Sequence, residues 1–393
     1  MNIVIICRFP FPIGYSGTNR IISYSRGLIE LGCQVSVLVL CKTEKNKKAI
    51  NKNTKGIYQG IYFEYIPKST IKSESKIGKA IDLIRDSLCS YIHIFKLSKD
   101  SSIDVFLISS DLCYDVYVLS MLGKKDKNQK VFWIVDEFPI PIRYGRDSIS
   151  LLSSALFKLA LRRLNGQISM TKIVNEYYKN LAGQQFPSLI MPMTVEPDRF
   201  VYLSNNIQDS KTITYIGNME IYKDSLDILI KAYYLFWKER KDYELCLVGD
   251  GKDTPKLKKY VNQMGISESV IFTGSVNRDE IPCVLSNSSI LILARTNNKR
   301  AMGGFPTKLG EYLASGKPVI VTNVGEISEY LTDKQNAYII EPNNIEALYN
   351  CFKYVADHYE EAINVGLEGK KLAEGIFNYK SQAIRMYDFI RVY

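Results

Sequence analysis

The stretch Gly303–Thr322, GGFPTKLGEYLASGKPVIVT, joins a glycine pair, a short apolar-faced run and a β-branched run. Pro306 suits the first turn of a helix, because it has no amide hydrogen to leave unsatisfied there. The segment PTKLGEYLASG then predicts a helix that stops at Gly316, which can take the left-handed turn beyond a helix end. Pro318 opens PVIVTN as a strand. A helix leading at once into a β-branched strand is one step of an α/β alternation, and the alternation extends both ways. Upstream lie TITYIG (strand), SLDILIKAYYLFWKE (helix), YELCLVGDG (strand), TPKLKKYVNQMG (helix), VIFTGSV (strand), RDEIPCVLSNS (short helix) and SILILA (strand). Downstream follow GEISEYLT (helix), AYIIE (strand) and NIEALYNCFKYVADHY (helix).

The first half repeats the pattern. NIVIIC is a buried strand, GYSGTNRIISYSRGLIELG a glycine-containing loop and a helix stopped by Gly32, and QVSVLVL the next strand. IDVFLISS and KVFWIVDE continue as strands. Two prolines in SLIMPMTVEPDRF (Ser188–Phe200) and the polar SNNIQDSK after it place a domain boundary there. The expected architecture is α/β, with Rossmann-like doubly wound domains over residues 1–195 and 200–377, and ligands at the carboxyl ends of the strands. A chain of 393 residues, 46% hydrophobic, suits two domains of about 150–200 residues and is too apolar for disorder.

Composition bounds the partners. No run of about 20 apolar residues is present, so no segment is expected to span a bilayer. The start, MNIVIICRFPFP, has no basic n-region and no small-residue cleavage site, and reads as a cytoplasmic start rather than a signal peptide. The eight cysteines are scattered without a C-x-x-C, which favours buried thiols over disulfides or zinc. Residues 1–190 hold 27 Lys and Arg against 15 Asp and Glu, whereas the remainder holds 24 against 26. No helix-turn-helix, zinc-finger or aromatic-basic RNA pattern accompanies this charge, so nucleic acid is not the expected partner. A solvated basic face accounts for it, and so does an anionic membrane surface or a lipid-diphosphate acceptor. In Ser69–Lys99, Ile77, Ile81, Ile84, Leu88 and Ile92 recur at helical spacing among Lys72, Lys76, Lys79 and Arg85. Such a helix packs on its own domain or lies on a membrane.

Gly303–Thr322 is not a Walker A loop. Gly310 to Gly316 is one residue too long, and Pro318 stands where a magnesium-binding Ser or Thr is required. Its near end is different. Gly303 and Gly304 let backbone approach a ligand, and the amides of Thr307, Lys308 and Leu309 point out of the helix tip beside the Lys308 ammonium. Glu311, one turn further in, suits ribose hydroxyls. The plain alternative is a capped helix with a solvent-facing Glu. Glycines at three successive strand ends (Gly217, Gly249 and Gly251, Gly274), with Lys223 after the first, favour a nucleotide pocket.

The C-terminal half closely resembles the retaining glycosyltransferases of family 4. The resemblance runs through YIGNMEIYKDSLDILIKA, ELCLVGDGKDTPKLKKYVNQMGISESVIFTGSV and GGFPTKLGEYLASGKPVIVTNVGEISEYL in order. The N-terminal half matches more loosely, through GYSGTNR, LGCQVSVLVL and MPMTVEPDRF. The resemblance implies a GT-B fold, two Rossmann-like domains facing across a cleft, with acceptor bound by the first and nucleotide sugar by the second. It also implies a final helix, 378–393, packed back on the first domain. Glu311 would bind the ribose, the amides of Thr307 to Leu309 the diphosphate, and Lys223 would neutralise the leaving group without a metal. Backbone near Val276 would meet the base, and the loop at Gly17 the phosphates or sugar. Gly217, Asn218, Gly249, Gly304 and Phe305 complete the donor set, and Asp136 and Glu137 are the candidates in the first domain for orienting acceptor or sugar.

Three positions depart from the family pattern. Gly303 replaces the first Glu of E-x7-E. Asn218 replaces an Arg after Gly217, and Lys308, Arg295 and Arg300 are the candidates to take its place. Many family members use a His in the N-terminal domain near the sugar, whereas neither His93 nor His358 follows the Trp133 strand. The implied reaction retains anomeric configuration, with UDP or GDP as leaving group and no cofactor or metal. Surface-polysaccharide synthesis on a lipid-linked acceptor, at the inner face of the cytoplasmic membrane, is the implied setting. A catalytically inactive binding or scaffold subunit is the non-enzyme alternative, with Gly303 as its best support. A sugar-nucleotide epimerase would need more acid/base groups, and a dehydrogenase the G-x-G-x-x-G that PIGYSGTNR lacks.

Overall fold

A computed structural model describes residues 1–46, 49–123, 129–183, 185–201 and 211–393. Of the polar stretch after the expected boundary, residues 204–210 lie outside the described residues. Contacts divide the chain into two units, Met1–Thr194 with Tyr379–Tyr393, and Val195–Asn378.

The first unit holds β1 (Asn2–Cys7), β2 (Gln34–Val39), β3 (Lys55–Tyr58), β4 (Ile61–Tyr65), β5 (Val105–Ser109), β6 (Lys130–Val135), β7 (Gly166–Ser169) and β8 (Ser188–Ile190). Their order is β3-β4-β2-β1-β5-β6-β7-β8. Neighbours are parallel except for the β3–β4 hairpin. The central strand β1 is covered on both faces, which is why it reads as an unbroken apolar run. Ile3, Ile5 and Cys7 enter one core with Leu28 and Phe132, and Val4 and Ile6 enter another with Trp133 and Tyr178.

The final helix, Tyr379–Val392, adds Met386, Phe389 and Ile390 to the first of these cores. It packs closely on the helix Ser16–Glu30. A Cβ on Gly27 would stand 2.4 Å from that of Ala383, so Gly27 is what lets the two backbones approach. Tyr379 donates to Glu30 at 2.5 Å across the same contact.

The helix Lys76–Leu97 is turned opposite to a core helix. It buries Asp82, Asp86, Ser87, Ser90 and Ile94. The buried polar face is tethered: Lys42 donates to Asp82 (2.8 Å), Ser90 to the Leu40 carbonyl (2.9 Å) and Arg8 to Ser87 (2.7 Å). Ile77, Ile81, Ile84, Leu88 and Ile92 are left 55–76% exposed.

The second unit holds β9 (Thr212–Ile216), β10 (Glu244–Val248), β11 (Val270–Gly274), β12 (Ile290–Leu293), β13 (Val319–Thr322) and β14 (Tyr338–Ile340). All are parallel, in the order β11-β10-β9-β12-β13-β14. Strand order reverses between β9 and β12, and at such a switch point the loops leave on opposite sides and open a crevice at the carboxyl edge. All eight cysteines are free; Cys7 and Cys33 are buried, four are partly buried, and Cys89 and Cys283 are exposed, so burial is less general than expected. Among the described residues no helix is long and apolar enough to cross a membrane.

Candidate functional site

The helix Thr307–Ala314 aims its first turn at the carboxyl edge of the second sheet. It buries Leu309, Tyr312, Leu313 and Ala314. The Tyr312 hydroxyl accepts from the Ile216 amide at 2.7 Å, which fixes the helix to the end of β9. At the far end Gly316 takes φ +71° and its amide bonds the Leu313 carbonyl at 3.0 Å, a left-handed helix stop. At the near end Pro306 is the cap and the helix begins at Thr307. One expectation needs correcting. The Leu309 amide donates to the Pro306 carbonyl at 3.0 Å, which leaves the Thr307 and Lys308 amides at the tip. The Phe305 ring is buried, 5.3 Å from the Tyr330 ring and 6.0 Å from that of Phe377.

The cations expected around this tip are held by protein acceptors. Lys308 Nζ donates to Asp224 at 2.8 Å and to the Tyr215 hydroxyl at 2.9 Å. Burial pulls the ammonium's pKa down against the attraction of Asp224, and nearby Lys223 adds to the depression. Burial likewise opposes the Asp224 charge, but Lys308, Arg295 and the Tyr215 hydroxyl hold this carboxyl below its usual range. Arg300 pairs with Glu220 at 2.8 Å, and Arg295 donates to the Gly304 carbonyl at 2.8 Å. Lys223 itself is half-buried on the short helix Ile221–Asp224, and its carbonyl accepts from the Thr296 amide at 3.3 Å, beyond β12. Lys223 thus stands at the switch point.

Glu311 is engaged as well. Arg199 donates to it at 2.7 Å and also donates to the Arg278 carbonyl. Arg278 is two residues past Val276, in the loop leaving β11, and its guanidinium pairs with the buried Glu196. Neither Arg199 nor Asp224 was expected at the site. Asp224 directly follows Lys223, but nothing local marks it as the partner of a lysine on another helix.

The strand-end glycines serve the protein's own packing. A Cβ on Gly217 would stand 2.2 Å from Lys308 Nζ, and one on Gly249 would stand 1.9 Å from the Gly217 carbonyl oxygen. A Cβ on Gly251 would meet Asn218 Oδ1 at 2.6 Å. Only at Gly274 among these four is there open space within 4 Å.

In the first unit, Gly17 lies in the first turn of the helix Ser16–Glu30, not in a loop. Asp136 and Glu137 follow β6. Asp136 pairs with the buried Arg20, and Glu137 with Arg143 at 3.1 Å. Arg143 also binds Asp111 at 2.8 Å. Both candidate carboxylates are thus matched by arginines that the sequence had not singled out.

Residues 203–371 match the family model described as Glycosyl transferases group 1. An uncharacterized glycosyltransferase of Haemophilus influenzae is 25% identical over 167 residues, 42% of this chain and 45% of its own length. A GDP-mannose-dependent alpha-(1-6)-phosphatidylinositol monomannoside mannosyltransferase of Mycobacterium tuberculosis is 20% identical over 246 residues, 59% of this chain and 64% of its own. The chain thus spans less than two thirds of the length of these curated relatives. Among solved structures, Anabaena HepE in complex with UDP matches with a TM-score of 0.74 at 12% identity, covering all of both chains, a likeness of fold alone. The fold is GT-B, and the likeness to the Glycosyl transferases group 1 family covers residues 203–371.

Proposed function

We propose that the protein is a retaining glycosyltransferase that moves a sugar from a UDP- or GDP-sugar to a glycan acceptor, in surface-polysaccharide synthesis on a lipid-linked carrier. The observation that carries the reading is the tip of Thr307–Ala314 at the switch-point edge, with Lys223 beside it and Glu311 one turn in. It is joined by the family match over the same residues. A helix N-terminus attracts a diphosphate through its amides and dipole, and a carboxylate nearby accepts from ribose hydroxyls.

In the reaction, the bond from the anomeric carbon to the donor's phosphate oxygen breaks and the bond to the acceptor oxygen forms on the same face. The acceptor proton passes to the departing phosphate, and the nucleoside diphosphate leaves. The residues supply electrostatic stabilisation and positioning. Lys223, beside Lys308 at the tip, supplies cationic charge for the leaving group. Asp136 and Glu137 orient acceptor or sugar. No metal step enters this scheme.

The apolar stripe of Lys76–Leu97 supports a cytoplasmic protein held at an anionic membrane, where its lipid-linked acceptor lies. Five exposed apolar residues flanked by Lys72, Lys76, Lys79 and Arg85 match an interfacial helix in both hydrophobicity and charge. The competing reading, an inactive binding subunit, draws on Gly303. The test is to supply UDP- and GDP-sugars with polyprenyl-diphosphate glycans and follow the anomeric proton by NMR. Product with the donor's configuration supports the proposal. Nucleotide binding without transfer or hydrolysis supports the inactive subunit.

A further inference from the structure

We propose that Arg199 is the positioning residue of the ribose-binding carboxylate, and that it ties the ribose subsite to the base subsite. The inference rests on the reading of Glu311 and of the backbone near Val276 given above. Arg199 lies in the Pro197–Phe200 turn at the start of the second unit, anchored by buried Phe200. Its guanidinium is a rigid planar fork, unlike an ammonium. One prong, Nη1, donates to Glu311 Oε1 at 2.7 Å. The other, Nη2, donates to the Arg278 carbonyl. Arg278 is held from its other end by Glu196, whose side chain is fully buried. Residues 196 and 199 therefore grip residue 278 by side chain and by backbone, and residue 199 also grips Glu311.

Two consequences follow. A carboxylate has two acceptor oxygens, so fixing one of them orients the other toward a ribose hydroxyl. A carboxylate one turn inside a diphosphate-binding helix tip also repels the diphosphate unless its charge is compensated, and Arg199 compensates it. Lysine at this position would keep the charge but lose the fork.

The test is calorimetric titration of the full chain with UDP and GDP, each beside its 2′-deoxy and 3′-deoxy forms. Wild type is expected to bind one ribonucleotide about tenfold tighter than a deoxy form, the size of one hydrogen bond to a charged group. Arg199→Ala is expected to weaken the ribonucleotide by about tenfold or more, with the ribo/deoxy ratio falling toward one. Arg199→Lys decides the matter if Arg199→Ala does not fold: it should retain most diphosphate affinity and lose the ratio. If both variants keep the ratio while Glu311→Gln abolishes it, the assignment to Arg199 is overturned and the Glu311 reading stands. A wild type that binds neither nucleotide, or binds without any ratio, overturns both.

Discussion

Lys308 and Asp224 form an ion pair at 2.8 Å, with side chains only 19% and 6% exposed, at the carboxyl end of β9. The lysine at the helix tip is therefore built into the unit's interior. Removing one partner of such a pair leaves the other charge buried and unmatched. Asp224→Ala is expected to destabilise the protein by about 3 kcal/mol, read by denaturant unfolding. Lys223→Ala is expected to lower transferase activity. An unfolding free energy left unchanged by Asp224→Ala would contradict the buried pairing.

The same pair fixes the sign of an acid-side pH dependence. The folded pKa of Asp224 lies below its usual value of 3.8. Its contribution to stability is therefore complete above that value and is lost as pH falls through the folded pKa. The difference in unfolding free energy between wild type and Asp224→Asn should shrink as pH is lowered below about 4. A difference that stays constant between neutral pH and that range would be the contrary result.

Two glycines at neighbouring strand ends should respond differently. At Gly249 an added Cβ would lie 1.9 Å from the Gly217 carbonyl oxygen, with φ at +130°. Gly249→Ala is expected to cost about 3 kcal/mol, because backbone must shift. At Gly274 nothing stands within 4 Å and only φ, +75°, resists a side chain, so Gly274→Ala should cost about 1 kcal/mol. Thermal unfolding of both variants checks the order.

The outward face of Lys76–Leu97 makes a prediction about binding without stability. The triple substitution Ile81→Ser, Ile84→Ser, Leu88→Ser removes apolar surface that already faces solvent. Each change should shift stability by no more than about 0.5 kcal/mol. Sedimentation with phosphatidylglycerol vesicles should fall sharply, and wild-type binding should weaken with salt and with phosphatidylcholine. Undiminished sedimentation of the triple variant would remove this face from membrane binding.

Much of the second unit was legible because helix stops and β-branched runs alternate there with little interruption. Gly316, expected as a helix stop, takes the left-handed conformation. The first unit was harder to read. Gly166–Ser169 is fully buried yet carries Gly, Gln and Ser, and Lys55–Tyr58 has no buried residue, so neither shows a strand's hydrophobic pattern. The residue types of the site could be read from the sequence, but their pairings could not. Lys308 and Asp224 are 84 residues apart and Arg199 and Glu311 are 112 apart, so only the folded sheet brings them together. The orientation of Lys76–Leu97 was equally out of reach, because periodicity finds two faces without saying which one is buried.

In the proposed function the second unit binds a nucleoside diphosphate through Glu311 and the helix tip beside it. The most direct measurement is the thermal unfolding of wild type and Glu311→Gln with and without saturating UDP or GDP. A ligand at 100 times its dissociation constant adds about 2.7 kcal/mol to stability. One of the two nucleotides should raise the wild-type midpoint by a shift of that size, and the Glu311→Gln midpoint by clearly less. No shift with either nucleotide, or the same shift in both proteins, would contradict the claim.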